Sequence, residues 1–443
     1  MFRKIIGMFL ALAMLMTMIA IPSLAEGEPI VIEIMNWNGG AEQKAQQEAI
    51  AEYMQLNPHV TIELTTVSDG SYMAKLNTLV AAGSTPDIYY IAETSAIQWG
   101  LNGVAMDLVP LYAKEGIDMY EHFIPAALYG AEGKVYGLAY GVVDLVMYYN
   151  KALFDQYGIP YPTQDPNDAM TWDQYVETAK KLTIDAAGLN ATEEGFNADA
   201  VMTYGTKLNA WFPMINALLY SNNASFFNAD GTDLAMDSAE GIEVLQSMAD
   251  IYLLHKAAPS LALNDALPNT VQMIKDGQLA MALDGSYMYP SYIDEGVDVG
   301  ITALPQFTLP RTVSWASCNQ ISANTEHVDE VFKFFRWFCE AETNPRQIEA
   351  NFPNSKAYYS DEALKNQWLS NPIFNDDYKT VIPAYFLGDL TQVPEPVQVK
   401  NASMMLDEII MPALDALWTG ENTAAEAVAS IRAKLEGQYQ GKW

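Results

Sequence analysis

Apolar positions in the first part of the chain alternate between two spacings. Continuous or every-second apolar residues are typical of strands, and apolar residues three or four positions apart are typical of helices. The pattern predicts, in order, a strand, a helix, a strand, a helix and a strand: Ile30–Trp37, Ala41–Leu56, Val60–Leu64, Met73–Val80 and Asp87–Ile91. This order argues for an α/β unit with a mostly parallel sheet, in which ligands sit outside the C-terminal strand ends.

The pattern continues through the rest of the chain. Thr171 and Gln174 resemble a capping box, which opens a helix that runs to about Leu182. The later predictions are a helix at Ser238–Leu254, strands at Leu279–Leu283, Val299–Leu304 and Val313–Ile321, an apolar helix face from Val328 to Phe338, and a helical tail from Ala402. No linker rich in Pro, Gly or Ser divides the chain. We therefore expect two α/β lobes between which the chain crosses more than once.

Residues 1–25 have the layout of a cleaved secretory signal. Arg3 and Lys4 precede an apolar run from Ile5 to Ile21, and small residues lead up to Ala25, after which cleavage is expected. A membrane anchor is the alternative, because the run approaches the roughly 18 apolar residues that a span needs. The proline and the acidic residues around the expected cleavage point favour removal. The mature protein is expected to be extracytoplasmic and soluble, with no membrane insertion.

Composition and charge narrow the classes of function. Apolar residues make up 50% and charged residues 18% of the chain, which is typical of a globular protein. Lys plus Arg number 23 against 55 Asp plus Glu, a net charge of −32. Such a polyanion is repelled by phosphate backbones, so no nucleic-acid partner is expected. The only two cysteines, Cys318 and Cys339, exclude a disulfide scaffold; separate buried thiols are favoured over a bridge between them.

Motifs for catalysis and for cofactor binding are absent from the sequence. There is no Gly-x-Ser-x-Gly elbow, no phosphate-binding loop and no Gly-x-Gly-x-x-Gly after the first strand. The four histidines lie far apart in sequence, and none forms His-x-x-x-His. We therefore predict no catalytic residue, no metal site and no cofactor. Acidic residues are so abundant that a glycosidase-like carboxylate pair stays open, but no motif supports it.

Aromatic residues recur beside polar residues near predicted strand ends. Sugars stack their C–H faces on aromatic rings while carboxylates and amides bind their hydroxyls, which requires both residue types on rigid strand ends. The candidate ligand-binding residues are Trp37, Asn38, Glu93, Thr94, Tyr140, Asp144, Trp211, Ser286, Tyr287 and Trp315. Their recurrence favours a binding site for a small, ring-shaped solute.

Several motifs together resemble those of the extracellular solute-binding proteins, family 1, which are the sugar-binding components of ABC importers. The most specific part is Gly133–Leu138 followed by Tyr148–Phe154. Ala81–Tyr89, Thr171–Asp173 and Asp276–Met281 are further matches. Their order and spacing extend the resemblance over nearly the whole mature chain.

The resemblance implies a two-lobed, periplasmic-binding-protein-like α/β fold of type II. Mixed parallel sheets would carry helices on both faces, and three hinge crossings would join the lobes. The implied crossings lie near Gly141–Leu145, Phe307–Arg311 and Asn351–Ser355. The implied boundaries are a signal peptide at 1–25, a first lobe at 28–143 plus 311–351, and a second lobe at 145–308 plus 355–443.

The resemblance also implies a function. A monomeric, non-catalytic receptor would capture a mono- or oligosaccharide between its lobes and deliver it to ABC transporter permease subunits. The alternatives are a receptor for a polyamine, peptide or other charged solute and a secreted glycoside-processing enzyme. Many relatives carry a lipidated cysteine after the signal, whereas here Ala25 is followed by Glu26-Gly27. No lipid anchor is therefore expected, and the protein should be free in a periplasm or retained by its transporter.

Overall fold

The structure is a computed structural model, and it describes residues 29–264, 266–344, 351–387 and 390–443. The signal peptide predicted at 1–25 lies outside the described residues. The described residues form two six-stranded sheets and one two-stranded sheet. Within the described ranges, no helix combines the length and the apolarity that crossing a membrane requires.

The strands, as the structure has them, are β1 (Ile30–Asn36), β2 (Val60–Thr66), β3 (Ile88–Ile91), β4 (Leu128–Ala131), β5 (Lys134–Leu138), β6 (Val143–Asn150), β7 (Ile184–Asp185), β8 (Val201–Thr203), β9 (Lys207–Leu208), β10 (Met281–Gly285), β11 (Val299–Thr302), β12 (Thr312–Trp315), β13 (Cys318–Ile321) and β14 (Thr391–Gln392).

The helices up to residue 300 are α1 (Gly40–Leu56), α2 (Asp69–Ala81), α3 (Glu93–Leu101), α4 (Val109–Lys114), α5 (Met119–His122), α6 (Lys151–Tyr157), α7 (Trp172–Lys181), α8 (Phe212–Ser221), α9 (Ala239–Leu253), α10 (Leu261–Asn264), α11 (Thr270–Lys275) and α12 (Tyr289–Asp294). Those after it are α13 (Val328–Cys339), α14 (Ala357–Ser360), α15 (Glu362–Leu369), α16 (Asp376–Leu387), α17 (Ala402–Met404), α18 (Met411–Trp418) and α19 (Ala424–Leu435). A π-helical turn, Met405–Ile410, joins α17 to α18.

The first sheet has the strand order β2-β1-β3-β13-β5-β4. Both β2 and β3 are parallel to β1, as the sequence predicted, and β13 runs antiparallel to β3. The C-terminal ends of β1, β3 and β5 therefore lie at one edge of the sheet, beside the start of β13.

The second sheet has the order β14-β12-β6-β10-β9, and β11 also pairs with β6. All eight residues of β6 are buried, and alternate side chains enter two different hydrophobic clusters. Val146 and Tyr148 face one cluster, while Leu145, Met147 and Tyr149 face the other. Because β6 is covered on both faces, it is the central strand of this half of the molecule.

The strand predicted over Val313–Ile321 is wrong, because the segment forms two strands in different sheets. β12 pairs with β6 in the second sheet, and β13 pairs with β3 in the first. The chain therefore passes from one sheet to the other at Ala316-Ser317, which is beyond the implied crossing at Phe307–Arg311. The two other implied crossings contact each other, because Val142 and Phe352 exchange backbone hydrogen bonds of 3.1 and 2.9 Å. The implied lobe boundaries as a whole stay a prediction.

Other local predictions have mixed outcomes. The capping box of α7 is confirmed: the Gln174 amide N–H donates to Thr171 Oγ1 at 3.2 Å, and the Thr171 N–H donates to Gln174 Oε1 at 2.9 Å. The start of β1 is not covered on both faces, because Val31 is 48% exposed. Glu33, the polar exception in β1, is exposed as well.

Helix α3, which directly follows β3, is held against the first sheet at two points. The Gln320 side-chain amide donates to the Ala96 carbonyl at 2.8 Å, which ties the helix to β13. At the other end, Gly100 packs directly on the ring of Tyr136 in β5, and an added Cβ would lie 2.0 Å from the ring carbon Cγ. Glycine is therefore required for the close approach of α3 to the sheet.

We expect Gly100→Ala to lower the free energy of unfolding by about 1–3 kcal/mol, because the new methyl group overlaps the buried Tyr136 ring. The matched control is Gly70→Ala in α2, where an added Cβ meets no atom within 4 Å. Urea denaturation of both variants measures the effect. An unchanged midpoint for Gly100→Ala would contradict the packing.

Candidate functional site

Two sheet edges face each other where the chain crosses between the sheets. The start of β6 follows the passage at Gly141-Val142, and the end of β12 precedes the passage at Ala316-Ser317. In the second sheet, the start of β6 lies between the C-terminal ends of β12 and β10. The C-terminal end of β9 lies next to that of β10 at the same edge. The facing edge of the first sheet carries the ends of β1, β3 and β5. The space between the edges, which we call the cleft, is where the sequence predicts ligand binding.

On the first-lobe side, Trp37 lies within an aromatic group at the end of β1. Its ring centroid is 4.8 Å from that of Tyr72 and 4.5 Å from that of Tyr90. The Tyr72 hydroxyl lies 2.9 Å from the Met35 carbonyl and 2.7 Å from the Tyr90 carbonyl, so α2 fastens the ends of β1 and β3 together. Tyr140, 5% exposed, extends the group, with its centroid 6.2 Å from that of Tyr90.

Glu93 lies at the passage between the two sheets. The Ser317 hydroxyl donates to its Oε2 at 3.1 Å, and only 8% of the residue is exposed. Burial raises the pKa of Glu93, and the carboxylate of Asp407 on the π-helical turn raises it further. Because Asp407 follows α17 and Glu93 opens α3, this coupling joins carboxyl groups from the two sides of the cleft.

A small recess of about 270 Å³ lies between α3 and the π-helical turn. Thr94 lines it, together with Ser403 and Asp407. Asn38 is 5% exposed, and its side-chain Nδ2 has no hydrogen-bond partner among the described residues. Thr94 and Asn38 thus lie at the first-lobe edge, as predicted.

On the second-lobe side, Trp211 and Trp315 form an edge-to-face pair with ring centroids 5.4 Å apart. Trp315 ends β12 and is 5% exposed, whereas Trp211 begins α8 and is half-buried. Trp211 lines a recess of about 390 Å³, which we call the second-lobe recess; its lining also includes Lys207, Asn209, Tyr252, Tyr287, Asp415 and Trp418.

Tyr287 presents its ring beside this recess because its hydroxyl is fixed. It donates to Asp284 Oδ1 at 3.0 Å, and Asp284 also accepts from the Gly285 N–H at 2.8 Å and from the Asn209 amide at 3.3 Å. The side chain of Ser286 is turned inward, with only 1% of the residue exposed, and its Oγ accepts from the Asp144 N–H at 3.2 Å.

Asp144 is fully buried, unlike the cleft residue that the sequence predicted. The Thr391 hydroxyl donates to its Oδ2 at 3.2 Å. Burial raises the pKa of Asp144 to about 8, although the hydroxyls of Ser314 and Thr391 oppose the change. The prediction rested on the closeness of Asp144 to Tyr140 in sequence, which does not show that the strand is covered on both faces at this position.

Sequence reasoning missed four charged residues near the cleft: Glu42, Lys207, Asp284 and Asp407. Glu42, in the first turn of α1, is close enough to Tyr90 to raise its pKa, and burial raises the pKa of Glu42 itself to about 7. A helix start directly after a strand end is a signal that could have identified Glu42. Nothing in the sequence distinguished the other three.

Another recess lies elsewhere in the molecule. It measures about 580 Å³ and is lined by Tyr53 and Leu56 near the end of α1, by Leu111 in α4 and by Arg336 and Trp337 in α13. Because α1 starts at the cleft and rises about 1.5 Å per residue over 17 residues, its end is roughly 25 Å away from the cleft.

Half of the sequence-predicted residues lie together at the first-lobe edge: Trp37, Asn38, Glu93, Thr94 and Tyr140. Trp211, Tyr287 and Trp315 lie at the second-lobe edge, and Asp144 and Ser286 are buried behind it. Among the described residues, no group of three or more His, Cys, Asp or Glu side chains could hold a metal ion. That any of these residues contacts a ligand stays a prediction.

Comparison with known sequences gives a family match over most of the chain. The sequence profile described as bacterial extracellular solute-binding protein matches residues 38–345. An arabinooligosaccharide-binding protein of Halalkalibacterium halodurans is 28% identical over 51% of this chain and 47% of its own length. An erythritol/L-threitol-binding protein of Mycolicibacterium smegmatis is 24% identical over 69% of this chain and 66% of its own length. The chain thus matches about half to two thirds of these curated relatives.

Solved structures share the fold over nearly their whole length. An ABC substrate-binding protein from Listeria monocytogenes, in complex with cycloalternan, has a TM-score of 0.79 at 22% identity, covering 93% of this chain and 99% of its own. A maltose/maltodextrin-binding domain from Bdellovibrio bacteriovorus, bound to maltotriose, has a TM-score of 0.73 at 17% identity. The match covers 92% of this chain and 99% of that chain. The expected two-lobed α/β fold is confirmed.

We expect Asp144→Asn to make the protein more stable than the wild type at pH 8. The native state keeps a proton on Asp144 up to about pH 8, whereas the unfolded chain loses it near its ordinary value of 3.8. The free energy of unfolding therefore falls by up to roughly 1.4 kcal/mol per pH unit between these values. Asparagine removes this slope.

Urea denaturation at pH 5 and pH 8 measures the difference, with Asp276→Asn at an exposed position as the control. If the free energy of unfolding depends on pH equally in the Asp144→Asn variant and in the wild type, the Asp144 carboxyl is not protonated in the native state.

Proposed function

The chain belongs to the bacterial extracellular solute-binding protein family, and from this premise we propose that it is an extracytoplasmic receptor of an ABC importer. It captures a mono- or oligosaccharide between its two lobes and delivers it to the permease subunits. The proposal includes removal of the signal peptide predicted at 1–25. The relatives named as binding proteins for arabinooligosaccharide and for erythritol/L-threitol support this class of ligand.

The observation that carries the proposal is the pairing of flat rings with hydrogen-bonding groups on both sheet edges. The first lobe presents Trp37 beside Asn38 and Glu93, and the second presents Trp211 beside Tyr287. A pyranose ring has an apolar C–H face and a rim of hydroxyls, so it needs both kinds of partner at once. Pockets with few, well-placed polar groups among aromatic rings provide such specificity.

A ligand that touches both edges stabilises the closed arrangement of the lobes. The chain passes between the two sheets at Ala316-Ser317 and near Val142, and we place the hinge at these passages. Closure around ligand is a hinge motion, driven by contacts that exist in the closed state alone. The sugar is released unaltered, and we propose no catalytic role for any residue of the cleft.

A polyamine or another cationic solute is the second candidate. Glu42, Glu93 and Asp407 bring carboxyl groups to the cleft from both sides, and no ion pair of the described residues involves any of the three. A protonated amine between them would compensate the burial that raises the pKa of Glu93 and relieve the added repulsion from Asp407. This candidate predicts binding of spermidine that weakens steeply with salt.

We expect at least one neutral oligosaccharide to raise the melting temperature of the wild type in a panel that also contains spermidine. Ligand bound to the native state alone stabilises it by RT ln(1 + [L]/Kd). Trp211→Ala should lower the affinity for that sugar at least tenfold, as measured by calorimetry, because it removes a stacking surface beside the cleft. Trp337→Ala, at a half-exposed tryptophan in the distant recess, should leave the affinity unchanged.

Mass spectrometry of the recovered sugar checks that it is intact. Stabilisation by spermidine with no response to any sugar would replace the carbohydrate assignment with the cationic one. Hydrolysis products that accumulate with purified protein would replace it with the glycoside-processing enzyme.

A further inference from the structure

The second-lobe recess contains a lysine with no partner. Lys207 starts β9 and is half-buried, yet no hydrogen bond or ion pair of the described residues involves its ammonium group. Burial lowers the pKa of Lys207, and the charge of Asp284 acts in the opposite direction. Asp284 already accepts three hydrogen bonds from other groups. The ammonium group is therefore partly desolvated without a contacting counter-charge.

Two further donors of the same recess are also unpartnered. The indole Nε1–H groups of Trp211 and Trp418 are buried, and neither has a hydrogen-bond partner among the described residues. Trp418 is only 3% exposed and lines the recess from α18. Burying a donor without an acceptor costs about 1–3 kcal/mol of stability. A ligand that supplies acceptors to the Lys207 ammonium and to the two indole N–H groups would therefore gain binding free energy from all three.

The carboxyl groups nearest to Lys207 do not fill the acceptor role. Asp415 is exposed at the rim of the recess, where solvent screens it. Asp284 lies behind the recess and is engaged by Gly285, Asn209 and Tyr287. The acidic group around Glu93 is remote, because β9 lies three strands from β12, roughly 14 Å at ordinary strand spacing. That distance exceeds the Debye length of about 8 Å at physiological ionic strength.

We propose that the second-lobe recess binds the carboxylate of an acidic sugar, so that the receptor prefers oligosaccharides that carry a uronic acid over their neutral counterparts. The ammonium of Lys207 pairs with the carboxylate, and the indole N–H groups of Trp211 and Trp418 donate to its oxygens or to neighbouring hydroxyls. A charge-assisted hydrogen bond to a carboxylate is about twice as strong as a neutral one. The inference rests on the proposed function and specifies the class of sugar.

The experiment compares matched pairs of sugars that differ in one oxidised carbon: cellobiose with cellobiouronic acid, and maltose with maltobiouronic acid. Calorimetry on the full mature chain should give at least a tenfold lower Kd for the acid of one pair. Raising NaCl from 50 to 500 mM should reduce that ratio, because the interaction is ionic.

Three variants test whether residues of the second-lobe recess cause the preference for the acidic sugar. Lys207→Met should bring the acid-to-neutral ratio close to one while the affinity for the neutral sugar stays within twofold. Trp418→Phe keeps the packed ring and removes the N–H, and it should lower the affinity for the acid about threefold or more. Lys181→Met, at an exposed position on α7, is the charge-matched control and should change neither affinity.

The outcomes separate this inference from the proposed function. Neutral sugars that bind as tightly as their acids overturn the inference and leave the carbohydrate receptor standing. Equal weakening of both members of a pair by Lys207→Met also overturns it, because Lys207 would then contact a hydroxyl or support the fold. A panel in which no sugar binds overturns both.

Discussion

The complete burial of β6 is the constraint on which the rest of the structure depends. A strand with eight consecutive buried residues must be covered on both faces, so helices and loops from distant parts of the chain pack on each side. The two passages next to this strand, at Val142 and at Ala316-Ser317, then have to leave the second sheet at the same edge. That edge meets the C-terminal ends of β1 and β3. The cleft follows from this connectivity.

The same connectivity explains why hydrogen bonds from scaffold residues end at the cleft. Tyr72 fastens the ends of β1 and β3, and Tyr129 donates its hydroxyl proton to the Ala316 carbonyl at the passage. Ser317, one residue further on, donates to Glu93. Rigid strand ends thus hold the candidate binding groups.

Charge is distributed unevenly along this cleft. The first-lobe edge and the π-helical turn contribute carboxyl groups whose pKa values burial raises, as at Glu42 and Glu93. The far end of the second-lobe edge contributes Lys207 and unpartnered N–H donors. An extended ligand would therefore meet hydrogen-bond acceptors at one end and donors at the other.

The sequence by itself determined the order of the first five elements, the capping box at Thr171, and the strand ends that carry Trp37, Glu93 and Tyr287. Local spacing and turn chemistry contain this information, because they act within a few residues. Only the tertiary structure decided that Val313–Ile321 is split between two sheets and that Asp144 is buried. It also decided that Lys207 and Trp418 line one recess although more than two hundred residues separate them. Burial and electrostatic partners depend on which distant segments pack together, and periodicity along a chain contains no such information.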